Sequence, residues 1–173
     1  MIFEKLLIPD EMLATFRDVT PEYLLSRGIK FIFCDIDNTL ATYDDLTPPE
    51  DVIDWCRGMN GCGVTVSFVS NNDRERVDGF NRELGYVAYA KAGKPMTKKL
   101  LSAMADCGAA ANNSAFLGDQ LLTDAAAANR AGLYSIIVLP IKDKTNLFFR
   151  FKRFFEIPYV KKYNKIKNKS QNK

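Results

Sequence analysis

Polar side chains that could bind a metal ion and a phosphate group follow four apolar segments of this chain. They are Asp35 and Asp37, Ser70 and Asn71, Lys94, and Asp119 and Asp124. Asp35 and Asp37 are two residues apart at the end of an extended segment, so their side chains lie on one side. Oxygen ligands suit a hard cation, above all Mg²⁺. A lysine facing that cation implies an anionic ligand between them, and phosphate fits best.

The segments that must position these residues alternate between strand and helix patterns. Strands are predicted at residues 29–36, 64–70, 86–90, 113–119 and 134–140, and helices at 48–60, 73–84, 96–108 and 124–132. This alternation predicts an α/β fold with a doubly wound parallel sheet and helices on both faces. Ligands of such sheets bind beyond the carboxyl ends of the strands, where the polar residues should meet. The first thirty residues carry helix start signals at Pro9-Asp10 and Thr20-Pro21, which predict short helices.

Composition excludes several other classes of protein. The 173 residues are 47% apolar and 26% charged, which is ordinary for one globular domain, and they include no histidine. Histidine-dependent nucleophiles, general bases and zinc sites are therefore excluded. The cysteines form no CxxC pair, and none is followed six residues later by arginine, which excludes a cysteine-dependent phosphatase. No apolar run reaches the roughly 18 residues that a membrane span needs, so we expect a cytoplasmic protein.

Charge divides the chain into two parts. Residues 142–173 have a net charge of +9, whereas residues 1–141 have a net charge of −6. Within the basic part an amphipathic helix is predicted to start at Thr145 or Asn146 and to end at Pro158, with disorder over residues 164–173. Its apolar face would contain Leu147, Phe148, Phe151, Phe154 and Phe155. We expect this tail to bind an anionic membrane surface on the inner face of the membrane; nucleic-acid binding is less favoured, and packing on the sheet stays open.

Four motifs carry a family resemblance. DIDNTL, SNN, GKP and GDQLLTD, in this order, resemble motifs I to IV of haloacid dehalogenase (HAD) superfamily phosphatases. The GDQLLTD form and the short gap after motif I resemble subfamily IIIA. The segment VTPEYLLSRGIK is similar to the start of the YqeG group, which is related to phosphatidylglycerophosphate phosphatases of organelles. The resemblance implies a HAD-type phosphatase domain at residues 1–141, with N-terminal helices at 1–28 and a catalytic core at 29–139, followed by a basic aromatic tail at 142–173.

The resemblance also implies a role for each motif residue. Asp35 would attack phosphorus and form an aspartyl-phosphate, and Asp37 would be the general acid and base. Mg²⁺ would be held by Asp35, the backbone carbonyl of Asp37, and Asp119. Ser70, Asn71 and Lys94 would bind the phosphoryl oxygens. Asp124 would support the site, either near the metal or by orienting Lys94.

Some neighbours of the motifs have a structural interpretation as well. Asn38 and Thr39 either cap the turn after motif I or contact phosphate, and the sequence leaves both open. Asn72 and Asp73 are predicted to be helix caps rather than ligands.

The spacing between motifs limits the substrate. Between motifs I and II there is room for one helix, and between motifs II and III for a helix and a strand, so we predict no large cap domain. An open site suits a phosphate that projects from a bulky molecule. We expect conversion of phosphatidylglycerophosphate to phosphatidylglycerol; the alternative is a nucleic-acid end or a soluble phosphate ester.

Two rival classes also use a site of this kind. A receiver domain would need an acidic phosphoacceptor after the third strand, where the chain has YAKAGKP. A catalytically inactive binding module is disfavoured because no motif position is missing.

Overall fold

A computed structural model of the protein describes residues 5–142 and 147–171. Within them the strands are β1 Glu11–Leu13, β2 Phe31–Cys34, β3 Thr65–Val69, β4 Ala88–Tyr89, β5 Ser114–Gly118 and β6 Tyr134–Val138. They form one sheet in the order β1-β6-β5-β2-β3-β4, and each neighbouring pair is parallel. The predicted α/β fold with a parallel sheet is therefore confirmed.

The helices connect these strands in the way that a parallel sheet requires. They are α1 Pro21–Leu25, α2 Glu50–Gly61, α3 Arg74–Asn81, α4 Lys98–Cys107, α5 Ala126–Ala131 and α6 Leu147–Gln171. Short 3₁₀ turns occupy Phe16–Asp18 and Ala111–Asn113, and a π-helical turn at Leu121–Ala125 leads into α5. Motifs I and II are separated by a loop, α2 and β3, and motifs II and III by α3 and β4, so the described residues include no large cap domain between these motifs, as predicted.

The core lies on both faces of the sheet because the strand side chains alternate. In β2, Ile32 and Cys34 belong to one buried cluster and Phe33 belongs to another. The first cluster includes residues of α2 and α3, and the second includes residues of α4 and α5. Apolar residues on successive positions of a strand are therefore buried on opposite sides, which makes the sheet doubly wound.

The prediction of helices for the first thirty residues is wrong for Glu11–Leu13, which form strand β1 at the edge beside β6. Asp10 fixes this pairing: its Oδ2 accepts a hydrogen bond from the Ser135 backbone at 2.8 Å, and its N–H donates to Ser135 Oγ at 2.9 Å. A strand of three residues is too short to show an alternating pattern, so partners distant in sequence determine it. The start signal at Thr20 is correct, because Thr20 Oγ1 caps α1 by accepting from Tyr23 N at 3.2 Å.

The C-terminal helix is longer than predicted. Helix α6 continues through Pro158 to Gln171, so both the stop at Pro158 and the disorder of residues 164–171 are wrong. A proline removes one N–H from a helix, and packing beyond it offsets that loss. Tyr159 and Val160 pack against the apolar cluster around Leu121. The apolar face predicted from Leu147 to Phe155 is formed by side chains that lie outside the described part of the structure. Thr145 and Asn146, where the helix was predicted to start, also lie outside it.

Tyr163 attaches α6 to strand β1. Its hydroxyl accepts a hydrogen bond from Met12 N at 3.0 Å and donates to Glu11 Oε1 at 2.6 Å. Lys167 Nζ lies 2.8 Å from the other oxygen of Glu11. The predicted alternative of a terminal helix packed on the domain therefore describes this half of the tail. None of the helices in residues 5–142 and 147–171 is long and apolar enough to cross a membrane.

Tyr163→Phe tests this attachment. The substitution leaves the Met12 N–H without its acceptor, so we expect the free energy of unfolding to fall by about 1–3 kcal/mol. Urea denaturation followed by circular dichroism measures it. The control is Asn164→Ala at the next, exposed position, where the change should stay within about 0.5 kcal/mol. Equal stability of the Tyr163→Phe variant and the unmodified protein would contradict the attachment.

Candidate active site

Four adjacent strands bring the motif residues to one edge of the sheet. Strands β5, β2, β3 and β4 are neighbours and run in the same direction, so the residues that follow them share one rim. Six of the predicted residues line one cavity of about 250 Å³ there: Asp35, Asp37, Ser70, Asn71, Lys94 and Asp124. Asp119 is buried beside it. The lining is completed by Tyr43, Asn72, Gln120 and Thr123, of which Tyr43 comes from the loop after motif I.

Lys94 lies at the centre of this group. Its Nζ is 2.9 Å from Asp35 Oδ1 and 2.8 Å from Asp124 Oδ1, and its side chain is 1% exposed. Although burial alone would lower it, the pKa of Lys94 is raised by the charges of Asp124 and Asp35. Asn71 fixes the lysine's backbone, because it accepts from Lys94 N at 2.8 Å and donates to Lys94 O at 3.2 Å. Lys94 is therefore a charged group in a fixed position.

Three carboxylates form a compact cluster around that lysine. One oxygen each of Asp35, Asp119 and Asp124 lies within 4.8 Å of the other two. Burial raises the pKa of Asp35 to about 6, and it raises that of Asp119 as well, with the neighbouring Asp124 adding to both shifts. A single ammonium thus leaves negative charge in a buried place. The all-oxygen donor set fits a hard divalent cation, which would stabilise the ionised carboxylates.

A close packing contact holds Asp124 in place. Its Oδ2 accepts hydrogen bonds from the backbone of Asp119 at 3.2 Å and of Gln120 at 3.0 Å. A Cβ on Gly118 would lie 2.4 Å from Asp124 Cβ, so the position admits only glycine. The π-helical turn that carries Asp124 is capped from α6, since Glu156 Oε1 accepts from Leu121 N at 2.9 Å.

Asp37 stands apart from the carboxylate cluster. Asn72 Nδ2 donates to Asp37 Oδ2 at 3.0 Å, and Arg76 Nε lies 3.0 Å from Asp37 Oδ1. The prediction that Asn72 caps a helix is wrong: Asp73 alone caps α3, accepting from Arg76 N at 2.9 Å. Arg76 is a site residue that was not predicted from the sequence. The sequence signal that could have identified it is its position in the first turn of α3. That turn follows the carboxyl end of β3 and therefore lies at the same rim of the sheet.

The sequence left open whether Asn38 stabilises the turn after motif I or contacts phosphate, and in the structure it stabilises the turn. It has a positive φ of 68° directly after Asp37, a conformation that asparagine tolerates. Its Nδ2 donates to Lys142 O at 2.9 Å, and its Oδ1 accepts from Lys142 N at 3.2 Å. Asn38 is therefore a turn residue that ties the motif I loop to the segment preceding α6.

Comparisons with known proteins bear on the family of this chain. A family model described as HAD-hydrolase-like matches residues 91–144, which include Lys94, Asp119 and Asp124. The Bacillus subtilis (strain 168) protein "Probable phosphatase YqeG" is 36% identical over 155 residues, which are 90% of either chain. This chain belongs to the YqeG family of HAD-type phosphatases. The family predicted from the motifs is confirmed, and with it a phosphatase activity.

Solved structures support the fold of this YqeG-family chain. NagD from E. coli K-12 matches with a TM-score of 0.53 at 14% identity, covering 66% of this chain and 90% of that one. The cobalt-bound deoxy-D-mannose-octulosonate 8-phosphate phosphatase of Haemophilus influenzae matches with a TM-score of 0.50 at 14% identity, covering 79% and 92%. At such identities the likeness shows the shared HAD fold.

Gly118→Ala tests the packing that holds Asp124. The added methyl group must displace Asp124 and disturb the Lys94 ion pair, so we expect a loss of about 3 kcal/mol or more in unfolding free energy. Activity should fall with it. Gly58→Ala in α2 is the matched control, because its added methyl group meets nothing within 4 Å, and it should stabilise the helix by about 0.5–1 kcal/mol. Thermal unfolding of both variants gives the comparison, and equal melting temperatures would contradict the contact.

Proposed function

We propose that this phosphatase is a Mg²⁺-dependent phosphomonoesterase that acts through an aspartyl-phosphate and converts phosphatidylglycerophosphate to phosphatidylglycerol. The observation that carries the chemistry is the buried Lys94 between Asp35 and Asp124, at 2.9 Å and 2.8 Å, beside a cluster of three carboxylates. A nucleophilic carboxylate, a fixed cation and an oxygen-lined metal site are what phosphoryl transfer needs.

The residues that would hold the metal are Asp35, Asp119 and the backbone carbonyl of Asp37, with Asp124 in support. When bound, Mg²⁺ would neutralise charge on the phosphoryl oxygens and keep the nearby carboxylates ionised. Burial raises the pKa of Asp35 to about 6, so an added positive charge nearby would favour its ionised form.

In the first step, a carboxylate oxygen of Asp35 forms a bond to phosphorus while the ester P–O bond breaks. Asp37 gives its proton to the leaving oxygen, so the alcohol departs neutral. Ser70, Asn71 and Lys94 bind the three phosphoryl oxygens, whose charge is largest in the transition state. Proton transfer of this kind contributes about 10²–10⁴-fold to the rate.

In the second step, Asp37 takes a proton from a water molecule. The water oxygen forms a bond to phosphorus while the bond between phosphorus and Asp35 breaks. Inorganic phosphate and the free carboxylate of Asp35 result, and Asp37 regains its proton. The two carboxylates line the same cavity, so a phosphoryl group on Asp35 and the carboxyl group of Asp37 would face the same space.

Asp35→Asn tests the nucleophile. The amide oxygen is a poor nucleophile, so we expect turnover of p-nitrophenyl phosphate to be lost while the circular dichroism spectrum is unchanged. Asp54→Asn, an equivalent substitution at an exposed position of α2, should retain full activity. Excess chelator should abolish the activity of the unmodified protein, and Mg²⁺ should restore it. Full activity of Asp35→Asn, or full activity in chelator, would exclude this mechanism.

An open rim and a basic helix support a lipid substrate. The cavity of about 250 Å³ accommodates a phosphate group but leaves the rest of a larger substrate outside. The outer side of α6 exposes Lys161, Lys165 and Lys169, which are spaced four residues apart and so share one face. Each such lysine near an anionic membrane contributes about 1 kcal/mol to binding.

Reversal of the charge on the exposed lysines of α6 tests the proposed binding to an anionic membrane. We expect the Lys161→Glu/Lys165→Glu variant to lose most of its sedimentation with vesicles of phosphatidylglycerol and phosphatidylcholine. The unmodified protein should bind them, less so as salt rises, and should not bind vesicles of phosphatidylcholine alone. Lys30→Glu/Arg82→Glu makes the same charge change at exposed positions outside α6 and should still bind.

Two outcomes would contradict the lipid substrate. One is equal vesicle binding by both double variants. The other is faster hydrolysis of soluble esters or of terminal phosphates on single-stranded nucleic acid than of phosphatidylglycerophosphate; the latter would make the nucleic-acid end the substrate. The net charge of −6 on residues 1–141 disfavours binding of a polynucleotide along this part of the chain.

A further inference from the structure

We propose that Arg76 is a positioning residue that holds the Asp37 carboxyl in the orientation needed for proton transfer. The inference rests on the proposed role of Asp37 as general acid and base. It concerns a residue outside the four motifs, in the first turn of α3.

Two side chains form hydrogen bonds with the two carboxyl oxygens of Asp37. Arg76 Nε lies 3.0 Å from Oδ1, and Asn72 Nδ2 donates to Oδ2 at 3.0 Å. The side chains of Arg76 and Asp37 are only 9% and 5% exposed. Rotation of the carboxyl about its terminal torsion would break both contacts at once, so the plane of the carboxyl is fixed.

These two hydrogen bonds leave lone-pair positions on the same oxygens available for proton transfer. A carboxyl group offers about four lone-pair positions, and Arg76 and Asn72 occupy one on each oxygen. The remaining position on each oxygen is available to a leaving oxygen or a water molecule in the cavity that Asp37 lines. Arg76 therefore orients Asp37 without blocking its proton transfer.

Arg76 is itself held on several sides. Its NH2 group donates to Thr42 O at 3.1 Å, and its NH1 group donates to Asp45 O. Its guanidinium carbon lies 5.4 Å from the centre of the Phe80 ring. These contacts join α3 to the loop that carries Tyr43 over the cavity. These contacts fix the position of the guanidinium group, and its hydrogen bond to Asp37 in turn fixes the orientation of that carboxyl group.

Stability alone gives no sufficient reason for this pair. Burying an arginine and a carboxylate removes both charges from water, and a buried ion pair is often no more stabilising than apolar residues of similar size. Arg74, two residues earlier, shows the ordinary alternative: it is 86% exposed and pairs with Asp78 on the surface of α3. Arg76 instead turns its charge inward to the one carboxyl assigned to proton transfer.

The test compares two substrates that differ in their need for a proton. The leaving group of p-nitrophenyl phosphate departs readily as an anion, whereas the alkoxide of glycerol phosphate needs protonation. Loss of the general acid should therefore reduce kcat/KM far more on glycerol phosphate, because kcat/KM reports the first step, whereas kcat also contains the second step that both substrates share. Asp37→Asn sets the size of this difference. A change in local structure alone would reduce both rates by the same factor.

We expect Arg76→Ala to lower kcat/KM on glycerol phosphate by about 10²-fold, as a small misplacement of a catalytic group does, and to lower it much less on the aryl ester. Arg74→Ala is the matched control on the same helix and should behave as the unmodified protein. Arg76→Lys keeps the positive charge but lacks the planar guanidinium group, and it replaces Arg76→Ala in the test if that variant does not fold. Asn72→Ala removes the other hydrogen bond to Asp37 and should give a smaller loss that is again selective for glycerol phosphate.

Two outcomes would overturn the proposal, and they are distinguishable. Equal loss on both substrates in the Arg76 variants, with Asp37→Asn still selective for the alkyl ester, would leave the mechanism intact and make Arg76 purely structural. Equal loss on both substrates in Asp37→Asn would remove the acid role of Asp37, and the positioning role of Arg76 with it.

Discussion

The ion pairs of Lys94 are the interaction on which the rest of this site depends. An ammonium that is 1% exposed is tolerated only where opposite charges neutralise it, here Asp35 and Asp124. Each partner imposes a requirement elsewhere in the chain. Asp35 must follow β2 directly, and Asp124 must fit beneath Gly118, where a side chain would overlap it. One buried charge therefore specifies the ends of three strands and the turn after β5.

The C-terminal helix extends this dependence beyond the motifs. Glu156 caps the turn that carries Asp124, and Tyr163 binds the edge strand that completes the sheet. Asn38, directly after Asp37, pairs with the backbone of Lys142. The basic segment is thus attached to both sides of the rim, after motif I and after motif IV. These attachments are hydrogen bonds of 2.9–3.2 Å.

The sequence sufficed for the parts of the fold that local patterns determine. The alternation of apolar strands with helix patterns predicted the parallel sheet, and polar residues after strands predicted where the cavity lies. Strand β1 was missed because Asp10 and Ser135 create it across 125 positions of sequence. The run of α6 past Pro158 depends likewise on packing against β1 and the π-helical turn. Arg76 was missed because a charged residue early in a helix usually faces solvent, as Arg74 does.

Asp35 and Asp37 show how one short motif gives two carboxyl groups different surroundings. Both line one cavity, yet Asp35 meets an ammonium and two further carboxylates, whereas Asp37 meets a guanidinium and an amide. The left-handed turn at Asn38 ends the extended geometry immediately after Asp37, so the loop folds back and its carbonyls reach Arg76. Separate surroundings would suit the separate roles proposed for them, attack on phosphorus for Asp35 and proton transfer for Asp37. The division comes from the side chains that α3 and the motif III loop bring to the rim, which is why residues outside the motifs bear on the chemistry within them.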